Sequence, residues 1–194
     1  MDVSQKEAKD SLNQIQEAAT YTRKTITASY DSGLLIMWGL ICIAAFLGTH
    51  FFHNWAGYIW WVLSGAGVVL TFLVVRHQFR QANPTKTPAA ERIGWRIFWF
   101  WTLLFVYIFV WLSVLAPVKD LQMNAFIITV IMFAYVVTGL WFRSYHMLWL
   151  GIVVTCTTLV GYYLIPVGYY CLWMATTAGG AILGTGLYTR FFWK

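Results

Sequence analysis

Six apolar stretches divide the chain, and each is long enough to cross a lipid bilayer as a helix. A crossing helix needs about 20 predominantly apolar residues. The stretches contain no internal Asp, Glu, Lys or Arg. Their apolar residues run continuously, which favours helices over the alternating strands of a membrane barrel. The predicted spans are residues 34–52, 55–75, 97–116, 121–142, 145–165 and 167–189.

The composition agrees with a chain that has lipid as its main solvent. It is 60% hydrophobic and 10% charged, whereas soluble domains carry about 25% charged residues. A soluble fold of 194 residues could not bury that much apolar surface. The composition therefore excludes a soluble enzyme, a disordered chain and a nucleic-acid-binding domain. It predicts an all-α membrane protein whose first partner is the bilayer.

Positive charge is distributed asymmetrically between the two ends of the predicted spans. Lys119, beside Asp120, is the one positive residue that falls on the outer side. Because Lys and Arg accumulate in cytoplasmic segments, the pattern predicts that both termini lie in the cytoplasm. The net charge of +6 then follows from topology and requires no nucleic-acid partner. The positive residues on the inner side are Lys6, Lys9, Arg23, Lys24, Arg76, Arg80, Lys86, Arg92, Arg96, Arg143, Arg190 and Lys194.

Three arginines end three similar segments, each of which starts from a short outer turn. Arg76, Arg143 and Arg190 follow their outer turns at nearly equal spacing. This predicts three helical hairpins in parallel arrangement, with the arginines as anchors at the inner interface. A membrane of fixed thickness produces the same spacing without duplication, so the pattern leaves both origins open.

Residues 1–30 form a separate polar segment ahead of the transmembrane domain at residues 31–194. Ser4 and Glu7 form a capping box at the start of a predicted cytoplasmic helix over residues 4–28. Its stripe has the narrow spacing typical of a coiled coil. The helix either lies on its own protein or the membrane surface, or it docks a cytoplasmic partner or a second copy of the chain. The stripe consists of Ala8, Leu12, Ile15, Ala19, Thr22 and Ile26.

The cytoplasmic linker at residues 76–96 is the second candidate for docking a partner, mainly through residues 77–94. Pro84 and Pro88 exclude a continuous helix through it. Thr87 is a suitable N-cap and Pro88 a suitable first helical residue. The sequence therefore predicts a new helix that begins at Pro88 and continues into the third span.

Polar side chains gather near the predicted outer ends of the spans. His50 and His53 are three residues apart and would share one face of a helix. Two imidazoles are too few for a zinc site, so the pair either caps the helix end or contributes to a metal or haem site. We predict no resident cofactor. The predicted outer polar cluster consists of His50, His53, Asn54, Asn124, Tyr162, Tyr163, Tyr169 and Tyr170.

Small and hydroxyl residues form stripes on the fifth and sixth spans. Thr155 and Thr158 share a face of the fifth span, and Thr176, Gly180 and Gly184 share a face of the sixth. Small-xxx-small stripes let membrane helices approach closely, and hydroxyls hydrogen-bond between them. The same hydroxyls could instead line a polar permeation path. Helix packing and permeation are both retained as readings of these stripes.

Motifs of membrane enzymes are missing from the sequence. The spans carry no acid or base for a proton relay, and there is no His-Glu-x-x-His motif. Cys42, Cys156 and Cys171 lie in predicted spans and form no CxxC pair. We therefore expect no catalytic residues and a non-enzymatic protein.

Several short segments resemble a group of bacterial six-span membrane proteins that have no assigned activity. The segments are Asp31-Ser32-Gly33-Leu34-Leu35 with Trp38-Gly39, Leu172-Trp173-Met174-Ala175, Gly179-Gly180, and Gly184-x-Gly186-Leu187-Tyr188. The resemblance implies a polar N-terminal helix ahead of six spans in a bacterial inner membrane. It carries over no functional residue.

Three functions remain as expectations. The first is a sensor, regulatory or scaffold component that acts through partners. The second is a channel or facilitator for a small neutral or apolar solute. The third is a haem- or metal-binding redox protein that uses His50 and His53.

Overall fold

The computed structural model describes residues 32–81, 88–117 and 119–192, which are almost entirely helical. The all-helical class is confirmed for these residues, and five helices are long and apolar enough to span a membrane, which is consistent with a multi-pass membrane protein. A 3₁₀ turn (His53–Trp55) precedes α2, and a π-helical turn (Ala175–Gly179) joins α6 to α7. The helices are α1 (Ser32–Phe51), α2 (Ala56–Gln81), α3 (Pro88–Leu115), α4 (Asp120–Phe142), α5 (Tyr145–Leu164), α6 (Val167–Met174) and α7 (Gly180–Phe192).

Two helices extend beyond their apolar spans. α3 begins at Pro88, as the capping pattern predicts, and continues to Leu115. α2 continues past residue 75 to Gln81. Hydropathy marks the lipid-soluble part of a helix, whereas the backbone ladder continues into polar sequence until a breaker stops it. The predicted N-terminal helix at residues 4–28 and the linker residues 82–87 lie outside the described residues.

The last span differs from a uniform helix. Where the sequence predicts one helix over residues 167–189, the structure has α6, the π turn and α7 in succession. The backbone stays helical at both junctions, with φ −60° and ψ −45° at Ala175 and φ −63° and ψ −40° at Gly180. The three elements therefore form one continuous helical rod from Val167 to Phe192, with the π turn inside it.

The core is shared by α1, α4, α5 and the rod formed by α6, the π turn and α7. α2 packs on α1, where the rings of Phe46 and Trp60 meet edge to face. α3 packs on α4, where Trp101 meets Tyr135 in the same geometry. α2 and α3 leave most of their apolar side chains uncovered, which is the expected exposure for lipid-facing helices. The buried core residues are Leu35, Phe46, Met132, Leu150, Val154, Tyr170, Met174, Ala175, Ala178 and Ile182.

Glycines permit the closest approaches between helix backbones. A Cβ added to Gly39 of α1 would lie 2.6 Å from the backbone nitrogen of Leu183 in α7. A Cβ on Gly151 of α5 would lie 2.7 Å from the carbonyl oxygen of Met132 in α4. Only a residue without a side chain fits these positions, so the glycines set the spacing of the core helices.

α4 and α5 are joined by a two-residue turn. Arg143 has a left-handed backbone, with φ 52° and ψ 40°. The N–H of Arg143 donates to the carbonyl of Leu140 at 3.4 Å, and the N–H of Ser144 donates to the carbonyl of Gly139 at 2.8 Å. These two bonds form a Schellman motif that satisfies the last carbonyls of α4. The motif brings α5 back antiparallel to α4.

Candidate functional site

Two residues of the predicted outer polar cluster form a hydrogen bond between helices in the part of the chain that the structure describes. The hydroxyl of Tyr170 donates to Oδ1 of Asn124 at 3.5 Å. Tyr170 is 3% exposed, so the pair is part of the packed interior between α6 and α4. At this length the hydrogen bond is weak, and the pair orients the two helices more than it offers a binding surface.

The other tyrosines of that cluster are placed differently. Tyr162 and Tyr163 contact each other, with ring centroids 4.9 Å apart. Tyr163 and Tyr169 are exposed, at 76% and 65%. Exposed tyrosines at helix ends suit a membrane interface, where the ring lies in the apolar region and the hydroxyl in the polar region.

His50 and His53 do not share a helix face. α1 ends at Phe51, and Phe52 leaves the helix with φ −125° and ψ 57°. His53 then starts the 3₁₀ turn and is exposed. The helical spacing expected for the pair fails because the chain turns between its members. Within residues 32–81, 88–117 and 119–192, no three His, Cys, Asp or Glu side chains form a metal-ligand group.

Asn54 lies in the same turn as His53 and is exposed. His50 is half-buried, and its ring packs edge-on against Phe51 at 5.1 Å. These three residues therefore border the turn between α1 and α2. The structure does not join them to Asn124 and Tyr170 by a described hydrogen bond.

A tryptophan of α6 is tied to the backbone of α5. Nε1 of Trp173 donates to the carbonyl oxygen of Thr157 at 2.9 Å. The indole lies over Gly161, where an added Cβ would be 2.6 Å from Cδ1 of the ring. Glycine therefore provides the space and the carbonyl provides the acceptor, so that Trp173 joins two helices in a setting where water is not available.

A second tryptophan joins α1 to α2 in a related way. Nε1 of Trp38 donates to Oγ1 of Thr71 at 3.1 Å, and that hydroxyl donates to the carbonyl of Gly67 at 2.8 Å. An added Cβ on Gly67 would lie 2.8 Å from Cη2 of Trp38. Sequence reasoning missed both ties. In each, a glycine and a threonine four residues apart on one helix meet a tryptophan of its neighbour.

The threonines expected in the packing or permeation stripes bond to their own helices. Thr155 Oγ1 donates to the carbonyl of Gly151, and Thr158 Oγ1 donates to that of Val154, both at 2.7 Å. Thr176 Oγ1 donates to the carbonyls of Leu172 and Trp173 in its own rod. Thr158 has no exposed surface. The hydroxyls are therefore satisfied locally, and Thr158 is enclosed by the core.

Gly180 and Gly184 face open space, with nothing within 4 Å of a Cβ added to either. The close contacts of this rod use different glycines. A Cβ on Gly179 would lie 2.6 Å from the side chain of Ile43, and one on Gly186 would lie 2.8 Å from the backbone nitrogen of Ile36. Within the chain, α1 therefore meets Gly179 and Gly186, while the Gly180-x-x-x-Gly184 stripe is uncovered.

The predicted arginine anchors all lie at one end of the helix assembly. Arg76 is in the last part of α2, Arg143 follows α4 and Arg190 is in the last turn of α7, and all three are exposed. Lys119 and Asp120, at the start of α4, are exposed at the opposite end. Every charged side chain that the structure describes is thus outside the packed interior.

A small open cleft of about 310 Å³ lies where α3 meets α4, near the end opposite the arginines. Its lining is Leu112, Leu115, Gln122 and Phe126. Three of these side chains are apolar, and the Gln122 amide is the polar group at the wall.

Comparison with protein-family models, with curated proteins and with solved structures gives no match.

Proposed function

We propose that the protein is a non-enzymatic component of a bacterial inner membrane that crosses the bilayer six times and acts through cytoplasmic partners. The sixth crossing is the rod Val167–Phe192. At 1.5 Å per residue its 26 residues span about 39 Å, more than the roughly 30 Å of a hydrocarbon core. α1 to α5 supply the other five crossings.

The antiparallel contacts support three hairpins with both termini on one side. The start of α1 meets the end of α7 at Ile36 and Gly186. Within the proposed hairpins, Trp38 near the start of α1 bonds to Thr71 near the end of α2, and Trp173 of α6 bonds to Thr157 of α5. These contacts, with the exposed arginines at the same end, support a cytoplasmic location for that end under the positive-inside rule.

The placement of polar groups is the observation on which the functional proposal depends. The described charged side chains are exposed and lie at or just beyond the ends of the apolar spans. The interior hydroxyls and indoles are bonded to helix backbones or to each other, as at Thr158 and Trp173. Chemistry available for recognition therefore lies at the ends of the assembly, and most of the positive charge belongs to the arginine end.

The partner is proposed to bind residues 4–28 or the basic linker at residues 77–94. This is tested by affinity purification of the full-length protein from its membrane, with quantitative mass spectrometry of what co-purifies. Two altered proteins are compared with it, one lacking residues 2–30 and one with the linker sequence scrambled. A Lys119→Gln variant, which changes positive charge at the opposite end, is the matched control.

Loss of a specific partner in one altered protein, with retention in the control, is the expected result. Equal recovery of every co-purifying protein from all four samples would remove the proposal.

The solute-channel alternative gains no specific support, because Thr155, Thr158 and Thr176 direct their hydroxyls to their own backbones. The redox alternative gains none, because His50 and His53 are separated by the turn after α1.

A further inference from the structure

The π turn in the last rod adds one residue to a helix turn in the middle of the packed core. The N–H of Gly180 donates to the carbonyl of Ala175, five residues earlier. Isolated π turns are rare and occur frequently at functional sites. Ala175, Ala178 and Gly179 are buried, so this turn lies within the interface between helices.

Both sides of the turn contact α5, but they differ in their other neighbours. Before it, Tyr170 bonds to Asn124 of α4, and Trp173 bonds to α5. After it, Gly186 lies against Ile36 of α1, while α7 also remains in contact with α5. The π turn therefore lies between α6, which α4 and α5 hold in place, and α7. The rotation of α7 about its own axis decides which of its residues face α1.

The contact of α1 with the π turn and α7 requires glycine at two positions of the rod. A Cβ on Gly179 would lie 2.6 Å from Cγ1 of Ile43, and a Cβ on Gly186 would lie 2.8 Å from the backbone nitrogen of Ile36. Real Cβ contacts are not this short. The close seam between the helices exists only while these two glycines face α1.

The π turn determines that Gly179 and Gly186 face α1. A residue after a π turn has the angular position that the preceding residue would have in a regular helix, a difference of about 100°. Without the π turn, the positions now held by Gly179, the last residue of the turn, and by Gly186 would pass to their preceding neighbours. Those neighbours are Ala178 and Thr185. Their side chains are too large for the present separation of α1 and α7.

We propose that the π turn Ala175–Gly179 is a register switch that controls the seam between α1 and α7. In the π form the glycines face α1 and the seam is closed. When the same residues adopt a regular helix, α7 rotates and α1 moves away from it. α2 moves with α1, because Trp38 and Thr71 join the two. The two arrangements form a two-state element that a binding event at the helix ends can bias.

The first test measures the separation of α1 and α7 directly. Spin labels are attached to Leu40→Cys and Leu187→Cys, both at exposed positions, after Cys42, Cys156 and Cys171 are replaced by Ala. Pulsed electron resonance gives the distance distribution in lipid nanodiscs. The perturbed protein carries Gly179→Ala and Gly186→Ala, and the matched control carries Gly180→Ala and Gly184→Ala, whose positions are open.

We expect the Gly179/Gly186 pair to increase the population at longer distance at least twofold, and the Gly180/Gly184 pair to leave the distribution unchanged. Equal distributions for the two pairs would overturn the proposal.

A second test deletes Thr176, which is exposed. The deletion removes the extra residue, so a regular helix presents both glycines to α1 and the seam stays closed.

Hydrogen exchange monitors the deletion without labels. In the unaltered protein the amides of the π turn should exchange at least tenfold faster than those of the flanking α6 and α7, because they take part in the switch. In the Thr176 deletion they should be as protected as their neighbours. A deletion variant that does not fold, or whose amides exchange as in the unaltered protein, contradicts the proposal, since the switch makes the extra residue dispensable for folding.

Discussion

Nε1 of Trp38 lies 3.1 Å from Oγ1 of Thr71 and donates a hydrogen bond to it across the α1–α2 interface. The Thr71 hydroxyl donates its own hydrogen bond to the Gly67 carbonyl, so one hydroxyl accepts from α1 and donates within α2. In lipid, where water cannot replace either bond, such a pair contributes roughly 0.6–2 kcal/mol to helix association. The edge-to-face contact of Phe46 with Trp60 joins the same two helices.

The first prediction concerns that bond. Trp38→Phe and Thr71→Val should each destabilise the folded protein, and the double variant should cost less than the sum of the two. We expect a coupling of about 1 kcal/mol from a double-mutant cycle of unfolding in detergent. Additive single effects would show that the bond contributes nothing. Trp61→Phe, on the exposed face of α2, is the control and should have little effect.

The second prediction concerns the close approach of α4 and α5. Gly151→Ala should lower stability by about 1–3 kcal/mol, because its Cβ would meet the Met132 carbonyl. Gly65→Ala in α2, where nothing lies within 4 Å, should be neutral or stabilising, because Ala is the better helix former. Thermal unfolding measures both. A Gly151→Ala protein as stable as Gly65→Ala would contradict the packing described.

The third prediction concerns the turn between α4 and α5. Arg143 has a positive φ of 52°, a conformation that costs a residue with a Cβ about 1 kcal/mol. Arg143→Gly should therefore stabilise the protein by about 0.5–1 kcal/mol. Arg143→Ala separates backbone from charge, since it removes the guanidinium and retains the Cβ. If Ala stabilises as much as Gly, the gain comes from the charge and the backbone argument fails.

The fourth prediction concerns the tie between α5 and α6. Trp173→Phe keeps an aromatic ring over Gly161 and removes the donor to the Thr157 carbonyl. We expect a loss of about 1 kcal/mol, because the carbonyl still accepts within its helix. Trp149→Phe, at an exposed position on the same pair of helices, should be close to neutral. Thermal unfolding gives the melting temperature of each variant. Equal decreases for Trp173→Phe and Trp149→Phe would show that the smaller ring, and not the lost hydrogen bond, causes the destabilisation.

The helices themselves were predictable because lipid imposes a strong constraint on sequence. Long apolar runs bounded by charge have one common solution, a helix that satisfies its own backbone. The start of α3 was also predictable, since Pro88 is a local signal whose effect needs no tertiary contact.

The contacts between helices were less predictable. The Gly180-x-x-x-Gly184 motif is visible in the sequence, yet α1 meets Gly179 and Gly186. The motif shows where small residues lie, but tertiary packing decides which side of the rod α1 covers, and the π turn adds to this by rotating the residues after it by about one position. No hydropathy pattern reports that rotation. The pairing of His50 with His53 likewise assumed a helix that continues through residue 53, whereas α1 ends at Phe51.

The central claim is that the bilayer surrounds this chain and that its arginine end lies in the cytoplasm. Compartment reporters at both termini test it, combined with labelling of Asn54→Cys, in the exposed turn after α1, by a thiol reagent that cannot cross membranes. We predict cytoplasmic signals from both termini, and labelling at residue 54 from the opposite side of the membrane. Termini in different compartments, or a residue 54 that reacts only from the cytoplasm, would contradict the account.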